Sequence, residues 1–206
     1  RKLRIGLASA FFLLVTALFL DFTGTVHQWF GWMAKVQFLP AVLAVNTVVV
    51  ALLVVLTLLL GRVYCSVICP LGVMQDIFAW LGKKAKKNRY TYSSAKNWVR
   101  YTVLVLFVAS LALGGGVLAK LLAPYSAYGR IAGSILAPVW QWGNNALAYL
   151  AERANSYAFY ETEVWLKSGL TLAIAVLTLL VLAFLAWRGG RTYCNTICPV
   201  GTVLGF

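Results

Sequence analysis

Acidic residues are scarce in this chain. Of 206 residues only five are Asp or Glu, against 18 Lys and Arg, for a formal net charge of +13. Charged residues make up 11% of the sequence and apolar ones 62%. That balance excludes an ordinary soluble domain, about a quarter of which is charged, and it predicts an integral membrane protein. The cationic excess would suit nucleic acid, but Lys and Arg at the ends of apolar runs report membrane topology instead, so no nucleic-acid partner is expected. Histidine occurs once, as His27, and cysteine four times, all within two ten-residue stretches. The apolar runs hold almost no charges or paired polar groups, which leaves a transporter without the polar path its substrate needs.

The runs themselves predict an all-α protein with four transmembrane helices and short amphipathic surface helices. Residues 5–22 are apolar and follow Arg1, Lys2 and Arg4. They lead into Asp21-Phe-Thr-Gly-Thr without a small-x-small cleavage pattern, so they read as a first span rather than a signal peptide. A short polar and aromatic loop, 23–37, precedes a second span from Phe38 to Leu60, longer than the roughly 20 residues a bilayer core requires. Residues 71–82 carry apolar side chains at 71, 74, 77, 78 and 81, the spacing of a helix with one greasy face. Too short to span, this segment is expected to lie on the membrane surface. The basic run Lys83, Lys84, Lys86, Lys87 and Arg89 follows.

A third span is expected from about Trp98 to Leu122, with Gly114-Gly115-Gly116 as a close-packing stretch. The aromatic-rich connection 123–167 is expected to rest one or two short helices among lipid headgroups. The fourth span, Leu170 to Trp187, ends at Arg188. With Arg1 to Arg4, Arg62, Lys83 to Arg100, Arg188 and Arg191 on one side, the Lys/Arg bias puts both termini and both cysteine stretches in the cytoplasm. The expected location is a bacterial inner membrane, with the lipid bilayer as one partner.

The two cysteine stretches are near copies: Gly-Arg-Val-Tyr-Cys-Ser-Val-Ile-Cys-Pro at 61–70 and Gly-Arg-Thr-Tyr-Cys-Asn-Thr-Ile-Cys-Pro at 190–199, each continuing to a further glycine, Gly72 or Gly201. They make the chain a pair of helix–Cys-x3-Cys-Pro units. Because proline drives the preceding residue out of the α region, each helix should stop at Cys69 or Cys198, with proline opening the next element. Cys65, Cys69, Cys194 and Cys198 would then meet at one centre, and Arg62 and Arg191 would offset the charge of four thiolates. Disulfides rarely persist in a reducing cytosol. A zinc or copper site and redox-active thiols remain open; ligand type, compartment and the Cys-Pro pairing favour an iron–sulfur cluster, most simply one [4Fe–4S] shared by both pairs.

The two Cys-x3-Cys-Pro motifs, with Lys35-Val-Gln37-Phe-Leu-Pro40 and Pro124-Tyr-Ser, make nearly the whole chain resemble the NapH/NosR-type membrane ferredoxins. The resemblance implies a four-helix membrane module, iron–sulfur binding, and electron transfer from quinol toward a periplasmic or membrane redox subunit, as in a quinol dehydrogenase-type subunit. In that family a soluble segment with two ferredoxin-type motifs commonly follows the membrane part; residues 1–206 hold no such segment and are expected to be a single membrane-embedded domain of a longer chain. Quinol oxidation needs a proton acceptor near the ring, and His27 and Asp21 are the candidates. The alternative reading is a non-catalytic protein that handles or matures a metal centre, or regulates, through the same thiols.

Overall fold

The computed structural model describes residues 2–21, 24–44, 46–61, 63–84, 97–113, 120–153, 160–164 and 168–204. Arg62, Lys86 to Arg89 and Gly114 to Gly116 lie outside the described residues. Among those described there is no strand. Their α-helices include α1 Lys2–Leu20, α2 Thr25–Phe30, α3 Trp32–Lys35, α4 Phe38–Leu43, α5 Thr47–Leu60, α6 Pro70–Lys84, α7 Asn97–Ala112, α8 Pro124–Ile131, α9 Ala137–Arg153, α10 Gly169–Gly189, α11 Thr192–Thr196 and α12 Pro199–Val203, with wider π-helical turns at Tyr64–Ile68 and Ala132–Leu136.

Two of these helices, α1 and α10, are long and apolar enough to cross a membrane. The apolar stretches in α5 and α7, Thr47–Leu59 and Asn97–Ala112, are shorter. The expected second span is in fact two helices. Asn46 starts α5 afresh, its side chain accepting a hydrogen bond from Val49 N at 3.3 Å, the usual work of an N-cap. α4 packs against α5, and Phe38 N donates to the hydroxyl of Tyr64, four residues past the end of α5, at 3.0 Å. Residues 38–60 therefore hold two packed helices rather than one continuous span.

The segment after the first motif departs furthest from expectation. α6 is no surface helix: it packs on α1, α8 and, most extensively, α10. It buries one polar side chain among apolar ones and leaves large apolar ones outside. Gln75 is fully buried, while Ile77, Trp80 and Leu81 are exposed. On α5 and α10 large apolar side chains point outward too, among them Leu52, Leu58, Leu177 and Phe184. Large exposed apolar faces of this kind need an apolar surrounding.

The connection 123–167 also differs from expectation. Residues Pro124–Arg153 are helical throughout, with the π-helical turn Ala132–Leu136 joining α8 to α9. The first turns are core rather than headgroup-zone structure: Ala127, Tyr128, Ile131 and Ala132 are buried in the same cluster as Val15, Leu53, Leu182 and three of the cysteines. Tyr128 fixes this helix to α1, sharing a hydrogen bond with Thr16 and packing edge-on against Phe12.

Candidate iron–sulfur site

Each cysteine motif begins on a glycine that no other residue replaces without strain. Gly61 has φ 71° and Gly190 φ 68°, a region open to glycine and costly to L side chains. From there each chain makes a wide turn closed by the same bond: Cys69 N donates to Tyr64 O, and Cys198 N to Tyr193 O, both at 2.9 Å. The turn is one residue wider than the α-helical turn that Cys-x3-Cys spacing suggests. Cys69 and Cys198 then take extended backbone, with ψ 114° and 117°, and Pro70 and Pro199 open α6 and α12. The stop before proline is as the sequence predicts.

Gly72 and Gly201 explain their repetition in the same terms. A Cβ at Gly72 would stand 2.0 Å from Cys65 O, and one at Gly201 2.3 Å from Cys194 O. Only glycine lets the helix after each proline press against the first cysteine of its own motif. The tyrosines before the first cysteines are anchored alike. Besides receiving Phe38 N, the Tyr64 hydroxyl donates to Gln37 Oε1 at 3.1 Å, and the Tyr193 hydroxyl donates to Leu122 O at 3.2 Å. Phe38 and Leu122 each lie two residues before a proline. Sequence reasoning did not give these tyrosines a role, although their repetition was visible.

The two motifs come together. All four cysteines are buried and none is in a disulfide. Burial, with the neighbouring Cys65 and Cys198, pushes the Cys69 thiol far up; Cys194 is raised by its hydrogen bond with Cys65 and by burial. Cys198 is pushed up to about 12, by burial first and by Cys65, with the Gly201 and Val200 amides pulling the other way. The Leu71 and Gly72 amides act on Cys69 in the same sense. The second cysteine of each pair thus receives the free N–H groups that open its following helix.

A void of about 30 Å³ lies among Cys65, Cys194, Tyr64, Leu204 and Arg191. Arg191 is held there by Asp76 of α6, its Nε donating to Oδ1 at 2.7 Å and its second prong closing on Oδ2. Burial lowers the affinity of the guanidinium for its proton, but the bonds and charge of Asp76 and the nearby thiols outweigh it and raise its pKa. Gln75, one residue before Asp76, donates through Nε2 to Cys194 Sγ at 3.3 Å. Neither Gln75 nor Asp76 stood out in the sequence; both act across more than a hundred residues, and no local pattern marks such a partner.

Among the described residues no three or more His, Cys, Asp or Glu side chains are gathered to hold a single metal ion. Cys65 and Cys194 line the small void, and Cys69 and Cys198 are buried in the same apolar cluster as Cys65. Zinc draws four sulfurs to about 2.3 Å from one ion, whereas a cubane takes each thiolate on a different iron. Four buried thiols outside any disulfide, two of them served by helix-opening amides, suit the second donor set. Their raised pKa values also fit, because iron replaces the proton and supplies the positive charge a buried thiolate lacks.

Comparison with known proteins agrees with that chemistry. Residues 42–89 and 168–206, each carrying one motif, match the family described as 4Fe-4S binding domain. The chain is 28% identical over 168 residues to the ferredoxin-type protein NapH of Escherichia coli K12, covering 81% of this chain and 45% of that protein. It is 29% identical over 163 residues to the Haemophilus influenzae NapH, covering 79% and 44%. The chain is thus similar to the ferredoxin-type NapH proteins, and the 4Fe-4S match falls on both cysteine motifs. It spans less than half the length of these curated NapH relatives, and no solved structure matches it.

In this NapH-like chain the other predicted residues fall elsewhere. His27 is exposed on α2, beyond the C-terminal end of α1. The Asp21 carboxylate receives Gly24 N and His27 N, both at 3.0 Å, which gives it a helix-capping role. Neither residue lines the void among the cysteines.

Proposed function

We propose that Cys65, Cys69, Cys194 and Cys198 ligate one [4Fe–4S] cluster and that the chain passes electrons from membrane quinol through it to a redox partner. The observation carrying this reading is the meeting of both Cys-x3-Cys-Pro motifs around one buried volume. When bound, the cluster supplies one-electron chemistry. The surrounding chain excludes water from the thiolates and aims helix-opening amides at Cys69 and Cys198. It also keeps the Arg191 cation beside Cys65 and Cys194. Arg62, the counterpart of Arg191, takes the equivalent role in this reading.

The chain is an integral protein of the inner membrane, crossing fully at α1 and α10, with α5 and α7 as the shorter members of a four-helix arrangement. Its outward apolar faces support that. The end carrying Lys2, Arg4, Lys83, Lys84 and Arg188 faces the cytoplasm, by the preference of Lys and Arg for that side. Quinol is oxidised at the opposite end of α1: its two electrons leave one at a time through the cluster to the redox partner and its two ring protons are released, one of them to His27, on the helix that Asp21 caps.

Anaerobically purified protein tests the cluster: it should contain about four irons and four sulfides per chain with broad visible absorption, and zinc in their place would overturn the reading. Anaerobic addition of a quinol analogue tests the donor. The visible absorption should bleach, and His27→Ala should slow the bleaching without changing iron content.

A further inference from the structure

We infer that Gln75 is a positioning residue that makes the two halves of the site electronically unequal: its side-chain N–H bonds the Cys194 thiolate and raises the reduction potential of the cluster held there. The inference rests on the cluster reading above.

The repeat supplies the comparison. Position 75 stands to the first motif as position 204 stands to the second, since both follow the second cysteine by six residues. Gln75 reaches across to Cys194 Sγ. Leu204 borders the void beside Cys65 but carries no donor. The site is close to symmetrical in its backbone, down to the glycines that touch Cys65 O and Cys194 O, and unsymmetrical in this one pair.

Folding alone gives little reason for the difference. Gln75 is fully buried and its Oε1 has no hydrogen-bond partner, a state that costs folding energy because the desolvated acceptor is not repaid. Leucine has nearly the same length and would avoid that cost, as it does at 204. What the amide adds is a donor aimed at sulfur. When one electron enters and no bond breaks, negative charge on Cys194 Sγ rises. An N–H donor held in a dry site stabilises that charge without reorganising, and hydrogen bonds to the sulfurs are among the settings of cluster potential. Because Gln75 adjoins Asp76, the fork to Arg191 fixes the same turn of α6 and holds the amide in place.

The test is Gln75→Leu, which copies the other half of the repeat. Iron and sulfide per chain should stay at the wild-type level. At a fixed ambient potential the oxidised-to-reduced ratio should rise about tenfold, a fall of roughly 59 mV for a one-electron couple. A fully loaded variant with an unmoved potential overturns the inference. If the variant loads poorly, the wild-type protein labelled with 15N in its glutamine side chains carries the test: pulsed EPR of the reduced cluster should show a coupled 15N nucleus, and a spectrum without one overturns the inference. Wild-type protein lacking iron and sulfide would instead sink the cluster reading itself, before any variant is made.

Discussion

Asp76 and Arg191 lie 115 residues apart in sequence and form a two-pronged pair, the carboxylate from the helix after the first cysteine motif and the guanidinium from the start of the second. The pair clasps the two copies of the motif together beside Cys65 and Cys194. Asp76→Asn should remove the charge-assisted fork and cost about 1 kcal/mol, because both side chains keep some solvent contact and screening limits the gain. Arg191→Lys should fail to restore the loss, since an ammonium cannot fill both prongs. Thermal melting in detergent measures both, and an unshifted Asp76→Asn midpoint would remove the pair from the account of how the motifs are held.

If the four thiolates share one cluster, the two halves must fail together. Cys65→Ser and Cys194→Ser should each lose nearly all iron and visible absorption, to the same extent. Iron and sulfide analysis of the two variants decides it; half the metal surviving in either would mean separate sites.

Glycine packing gives a contrast within one protein. Gly72→Ala and Gly201→Ala should each destabilise by about 1–3 kcal/mol or more, because the new methyl meets backbone that has nowhere to go. Gly143, in the middle of α9, has nothing within 4 Å of its added Cβ. Gly143→Ala should be neutral or stabilise by up to about 1 kcal/mol. Denaturation midpoints of the three variants check the order, and equal behaviour would argue against the close approach at 72 and 201.

Removal of the metal should leave thiols that react slowly. With Cys198 moved from 9.0 to about 12, its thiolate fraction at pH 8 falls about a thousandfold, and alkylation should slow at least that much relative to the unfolded chain. The raised folded value favours the protonated, folded state below pH 9. That stability should drain away as pH rises from about 9 to 12. Alkylation rates across pH 8 to 11 test this, and a plateau near pH 9 would count against it.

Much of the site was legible in the sequence. Proline after Cys69 and Cys198 forced the turn, and the repeated glycines forecast a repeated backbone. The helices were harder to read. Asn46 is a capping residue inside an apolar run, and composition alone made that run look continuous. α6 has the periodicity of an amphipathic helix, but periodicity does not say which face looks outward. In an apolar surrounding, Gln75 turns in and Trp80 turns out. The partners of Gln75 and Asp76 arise only when α6 and α10 pack side by side, and nothing near either residue in sequence announces that.

If the four cysteines share one cluster as proposed, the 129 positions between the motifs (65 to 194 and 69 to 198) also order events during biosynthesis. A ribosome that has finished the first motif has made only half a ligand set, and no cubane can be completed until Cys198 has been added. The first pair must wait, reduced and unliganded, while the 129 further codons to Cys198, about 390 nucleotides, are decoded. Once iron and sulfide are inserted, the metal becomes a cross-link that closes a loop of more than a hundred residues and subtracts that loop's entropy from the unfolded chain.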